Sequence, residues 1–221
     1  MIDNLVDVVS STGDSSEVID LYLLLVIVAL IPSFLVLTTS FTRMIIVLSF
    51  TRNALGTQQT PPNQVLVGLA LFLSLFVMRP VYQEVNEVAL TPMMEGELSR
   101  EEAFYEAEIP IKNFMLDQTR TSDLELFVEL SGDEYPDTPQ DLPLTTVIPA
   151  FSISELRTAF TIGFLIFIPF LVIDVVVASI LMSMGMFMLS PVMISLPFKL
   201  LLFVMVDGWY LVVESLISSF Y

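Results

Sequence analysis

With 221 residues, 55% of them hydrophobic, and a positive mean hydropathy, the chain has the composition of an integral membrane protein rather than of a soluble globule. Neither cysteine nor histidine occurs, which excludes disulfides, thiolate nucleophiles, zinc sites and imidazole acid–base chemistry and argues against an enzyme. Eight bases against twenty-five acids set the net charge at −17, and with no basic stripe the acidic blocks are not partners for nucleic acid.

Residues 1–20 form an acidic N-terminal segment with Asp3, Asp7, Asp14, Glu17 and Asp20 and no base. The apolar run Leu21 to Leu37, interrupted by Tyr22, Pro32 and Ser33, has about the length of a membrane span. Its acidic flank lacks the basic start and small-residue cleavage site of a secretory signal, so it is expected to remain in the mature protein. Met44 to Phe50 is a short apolar run and Val65 to Met78 a longer one, with a polar stretch between them, completing a first membrane region over 21–78. Arg43 and Arg52 beside that stretch place residues 38–64 in the cytoplasm by the positive-inside rule, and the following insert outside.

That insert, residues 79–145, is acidic and carries helix signals rather than strand alternation. Ser99 with Glu102, and Ser122 with Glu125, have capping-box spacing ahead of apolar residues, predicting two short amphipathic helices. Pro110 is expected to end the first before Ile111 to Leu116, and SGDEYPDTPQDLP reads as an irregular connector.

A third capping box, Ser152 with Glu155, is expected to open the second membrane region, 146–221. Ala159 to Ile173 is nearly all apolar and the run continues past Asp174 to Met182; Leu200 to Val206 and Leu211 to Ile217 flank Asp207, Gly208, Trp209 and Tyr210. Lys199 favours a cytoplasmic position for the segment between, returning the C-terminus to the outside. The apolar pieces thus suggest four spans, several of them short, proline-broken or acid-bearing. Such spans need neighbours to cover freed backbone groups and carboxylates, which predicts assembly into a larger complex.

Between the last two runs, Leu181 to Lys199 places Met182, Met184, Met186, Met188 and Met193 around Gly185, Pro191 and Pro197. Methionine clusters commonly serve as adaptable core packing, but a broken backbone between membrane runs usually lines a cavity, where an apolar constriction can close a pore. Asp174 and Asp207 are candidates for an ion path, although pairing with a base or with donors at a helix break is the simpler account. Arg43 and Lys199 are expected to reach the membrane interface, and Arg157 to pair along its helix or with the acidic insert; in a complex, all five charges could pair between subunits. Nucleotide-binding glycine motifs and calcium-loop spacing are both absent.

The strings SFTRMIIVLSFTRNALGTQQTPPNQVLVGLALF, PLTTVIPAFSISELRTAFTIGFLIFIPFLVIDVVVASILMSMGM and PVMISLPFKLLLFVMVDGWYL closely resemble the FliP/SctR family of type III export gate subunits, shared by flagella and virulence-type injectisomes. The resemblance spans about residues 21–221. It implies an all-α integral membrane protein of bent helical hairpins with a helical, acidic extracytoplasmic insert. It further implies a ring of about five copies that joins FliQ and FliR in a channel for unfolded flagellar proteins. The setting would be the bacterial cytoplasmic (inner) membrane at the flagellar basal body, with FlhA and FlhB nearby and no cofactor. The family's pore gasket maps onto Met186, Phe187 and Met188, with Phe in place of a central Met, and Met182, Met184, Gly185, Pro191 and Met193 would support that loop. An ion-coupled transporter using Asp174 and Asp207, or a scaffold for other membrane subunits, is the alternative class.

Overall fold

The computed structural model describes residues 15–57, 59–132, 136 and 138–221, and among them every regular element is helical. Most of the acidic segment 1–20, and residues 133–135 and 137 of the expected connector, lie outside the described residues. The chain divides into two units, 1–36 and 37–221. The first consists, where described, of most of α1, Ser15–Thr38, an apolar helix with Pro32 inside it.

In the second unit, α2 (Phe41–Leu55) buries Met44, Val47, Leu48, Thr51, Ala54 and Leu55, the three-to-four spacing of one helix face. Gly56 ends it at φ 78° and donates its N–H to Asn53 O, a conformation that a side chain would strain. That face packs on α8 (Leu144–Ser183) and on α3 (Asn63–Val77). Where α2 crosses α8, Gly163 has no room for a side chain: a Cβ there would lie 2.6 Å from Phe50 Cγ. The resulting core joins Met44, Val47 and Leu48 to Leu66, Ala70, Ala159 and Leu216.

Beyond α3 the chain bends 54° into α4 (Arg79–Val85), a π-helical turn at Asn86–Leu90 and α5 (Thr91–Glu95). The insert then contributes α6 (Arg100–Gln118) and α7 (Thr121–Ser131), with a short 3-10 turn at Pro139–Asp141. Met115, Leu124, Val128 and Leu142 pack on Val147, Ala150 and Phe151, so the insert is fastened to the first turns of α8. After α8 come α9 (Pro191–Met205) and, across a 64° bend, α10 (Gly208–Ser218). By length and apolar character α1 and α8 could each cross a membrane, as could each bent pair if it acts as one span.

Several local expectations are corrected. Ser99 and Glu102 do form a reciprocal capping box, but Pro110 does not end the helix it opens; α6 runs through it, because Pro110 and Met115 are buried against neighbours and that packing outweighs one lost backbone bond. Ser122 is inside α7 rather than capping it: the Arg120 N–H is taken by Ser154 Oγ at 3.1 Å, while Arg120 Nη2 holds both Asp123 oxygens at 2.6 and 2.7 Å. Ser152 and Glu155 lie two turns inside α8, which starts at Leu144 behind Pro143. Within residues 38–64, the stretch expected to be a polar loop from Thr51 begins as helix, since α2 runs to Leu55 and puts Arg43 and Arg52 nine residues apart on it, about 14 Å along its axis. Pro197 sits within α9, so the broken part of 181–199 is confined to Met184–Ser190.

Candidate functional site

The α8–α9 hairpin ends in a turn whose geometry follows from Gly185. At φ 76° it adopts the left-handed conformation, donating its N–H to Met182 O at 3.0 Å while Met186 N–H reaches back to Leu181 O at 3.0 Å. This paired closure satisfies the last carbonyls of α8. Pro191 starts α9 in the first-turn position where its missing N–H is harmless. The turn between these two residues has nowhere to bury its side chains. Phe187 is 79% exposed and Met188 fully so, with Met186 half-buried beneath them. Met182, Met184 and Met193 are also exposed in the single chain.

Below the tip the hairpin is tied by charge. Lys199 Nζ is buried and donates to Asp174 Oδ2 at 2.6 Å and to Ala54 O at 3.1 Å, and Ser195 Oγ donates to Asp174 Oδ1. One ammonium thus links α8, α9 and the end of α2. Gly56, just past that end, faces Val192 and Leu196, so the α2–α3 turn lies beside the first turns of α9.

A second buried cation holds the other end of α2. Arg43 Nε donates to Glu155 Oε2 at 3.0 Å and Nη2 to Glu155 Oε1; Nη2 also reaches Gln118 Oε1, and Nη1 reaches both Ser219 O and Ser219 Oγ, each at 3.0 Å. Its guanidinium carbon lies 3.8 Å from the centre of the Phe220 ring. Planar, five-donor arginine suits this convergence, and full hydrogen bonding offsets the desolvation of both charges.

Arg43 and Lys199 therefore do not reach out to the membrane interface; both are buried and paired within the chain. Asp174 has its cation, as the simpler account of it requires. Asp207 stands exposed at the α9–α10 corner at φ 51°, ahead of Gly208, where a Cβ would fall 2.2 Å from Phe203 Cδ2. Arg157 is exposed on α8 and makes no ion pair among the described residues.

Glu155, Gln118, Ser195 and Ser219 are the polar partners that sequence reasoning missed. A signal existed for two of them: Val147, Phe151, Glu155 and Ala159 recur every fourth residue, putting Glu155 on the buried stripe, and Ser195 and Lys199 share one face of α9. Among the described residues no three acidic side chains converge where a metal ion could sit. The arrangement is mechanical: two buried ion pairs brace a long hairpin whose apolar turn is bare.

Fold and site define an all-α membrane protein built on a braced helical hairpin with an exposed Met/Phe turn. The chain belongs to the FliP family, whose sequence profile matches residues 24–216. It is 58% identical over 211 residues to the flagellar biosynthetic protein FliP of Bacillus subtilis (strain 168), covering 96% of both chains. Identity to the protein of that name from Caulobacter vibrioides is 51%, covering 96% of this chain and 79% of the relative, and to that from Cereibacter sphaeroides 50%, covering 98% and 72%. All three relatives carry the name of a flagellar biosynthetic protein.

Proposed function

We propose that this chain is a core subunit of the flagellar type III export gate in the bacterial cytoplasmic (inner) membrane at the basal body. About five copies form a ring that, with FliQ and FliR, encloses the path of unfolded flagellar proteins; FlhA and FlhB lie beside it and supply energy coupling. Met186, Phe187 and Met188 from each copy meet at the axis and seal the closed pore. The observation that carries this reading is the bare tip: a glycine-closed turn presenting Phe187 and Met188 to solvent serves no packing purpose within the chain. Apolar side chains crowded at a constriction exclude water and ions, and flexible methionines can yield to a passing chain. Phe187 seals as well as methionine but bends less readily.

The flagellar names of the relatives favour flagellar over injectisome service. An ion-coupled transporter is disfavoured because Asp174 is neutralised by Lys199, while Asp207 lies beyond the end of α9 at Met205, outside the buried network that Lys199 makes. Replacing Met186, Phe187 and Met188 together by alanine is expected to make the closed gate leak ions and small solutes. Unchanged conductance of the triple variant, in a complex of normal composition, would remove the gasket.

A further inference from the structure

Two charges of opposite sign on the apolar helices have no ion-pair partner among the described residues. Arg157 stands exposed on α8 beside Ile153, Leu156, Phe160 and Phe164. Glu214 stands exposed on α10, turned away from the buried Val212 and Leu216. Neither makes an ion pair among the described residues, whereas Arg43 and Lys199, on helices of the same character, are both matched. A lone charge on an apolar helix surface is costly unless something meets it.

Arg43 binds both Glu155 on α8 and Ser219 just past α10; Arg157 follows Glu155 by two residues and Glu214 precedes Ser219 by five, so both charges are near that buried ion pair in sequence. Their faces, however, are opposed. The side of α8 that meets α10 carries Ile162 and Ile166, about half a turn around the helix from the side that carries Arg157. One chain does not bring the two charges together, but two copies placed head to tail can, and such contacts between unlike patches form a ring when the rotation from copy to copy closes.

We infer that Arg157 of one copy pairs with Glu214 of the next, setting the register of a heterologous ring contact. The inference rests on the ring reading above. The chain contains no cysteine, so Arg157→Cys combined with Glu214→Cys supplies the only thiols. Treating the full-length double variant, purified with its partner proteins, with a short bismaleimide, which spans the gap that an Arg–Glu pair leaves too wide for a disulfide, is expected to give a ladder of covalent multimers rising to the full ring, with no ladder from either single variant. An intact ring by native mass measurement with no cross-linked product, or with dimer alone, overturns the pairing and leaves the ring reading standing. If the unmodified chain forms no multimer at all, the ring reading falls and the pairing with it. As a second readout, Arg157→Glu should lower the assembled fraction about tenfold and the added Glu214→Arg should restore it; failure of that rescue also counts against the pairing.

Discussion

Arg43 joins α2, α6, α8 and the residues after α10 through a single guanidinium, so its environment should be unforgiving. Glu155→Leu leaves that cation buried without its carboxylate and is expected to destabilise the chain by about 3–5 kcal/mol. Arg43→Met together with Glu155→Leu should recover most of the loss, which thermal unfolding of the three variants in detergent would measure. Gly208 poses a steric rather than an electrostatic demand. With a Cβ only 2.2 Å from the Phe203 ring, Gly208→Ala is expected to cost about 1–3 kcal/mol, and a compensating Phe203→Leu should relieve part of it. Neither requirement could be read locally, because Glu155 lies 112 positions from Arg43 and the Phe203 ring returns onto Gly208 only across the bend.

Among the elements, α6 is the one whose start was fully legible and whose continuation was not. Ser99 Oγ accepts the Glu102 N–H at 3.2 Å, and Glu102 accepts the Ser99 N–H at 2.8 Å. That backbone bond to Ser99 holds the Glu102 carboxyl below its ordinary range, so folding favours its ionised form. The stabilisation is complete above the unfolded carboxylate pKa and is lost as pH falls through the lowered folded value. Protection factors of the first-turn amides of α6, corrected for intrinsic exchange, should therefore fall below about pH 4, while Ser99→Ala, costing on the order of 1 kcal/mol, should flatten that response. Pro110 misled because a proline penalty is local whereas the burial that offsets it is tertiary. The α8–α9 hairpin invites a related test: Asp174→Asn keeps a partner for Ser195 but strips the buried Lys199 of its counter-charge, and should cost several kcal/mol. Lys199→Met should be milder, since it removes the buried cation itself.

At the scale of the molecule, stability and gating should separate. Phe187 and Met188 bury almost nothing in the single chain, so their replacement by alanine should alter the melting temperature of the isolated subunit negligibly, within about 0.5 kcal/mol, while opening the assembled pore. Sequence alone determined the helical membrane class, the apolar segments, the first capping box and the glycine-proline break that contains Met186, Phe187 and Met188. Each of these depends on composition or on residues a few positions apart, where backbone preference and hydropathy act directly. Only the tertiary structure decided that Arg43 and Lys199 are interior cations, that Ser152 and Glu155 lie inside α8 rather than at its start, and that the two ends of α2 carry different buried ion pairs. Those outcomes depend on which distant side chains packing brings within about 3 Å of a desolvated charge, and hydropathy along the chain contains no term for that.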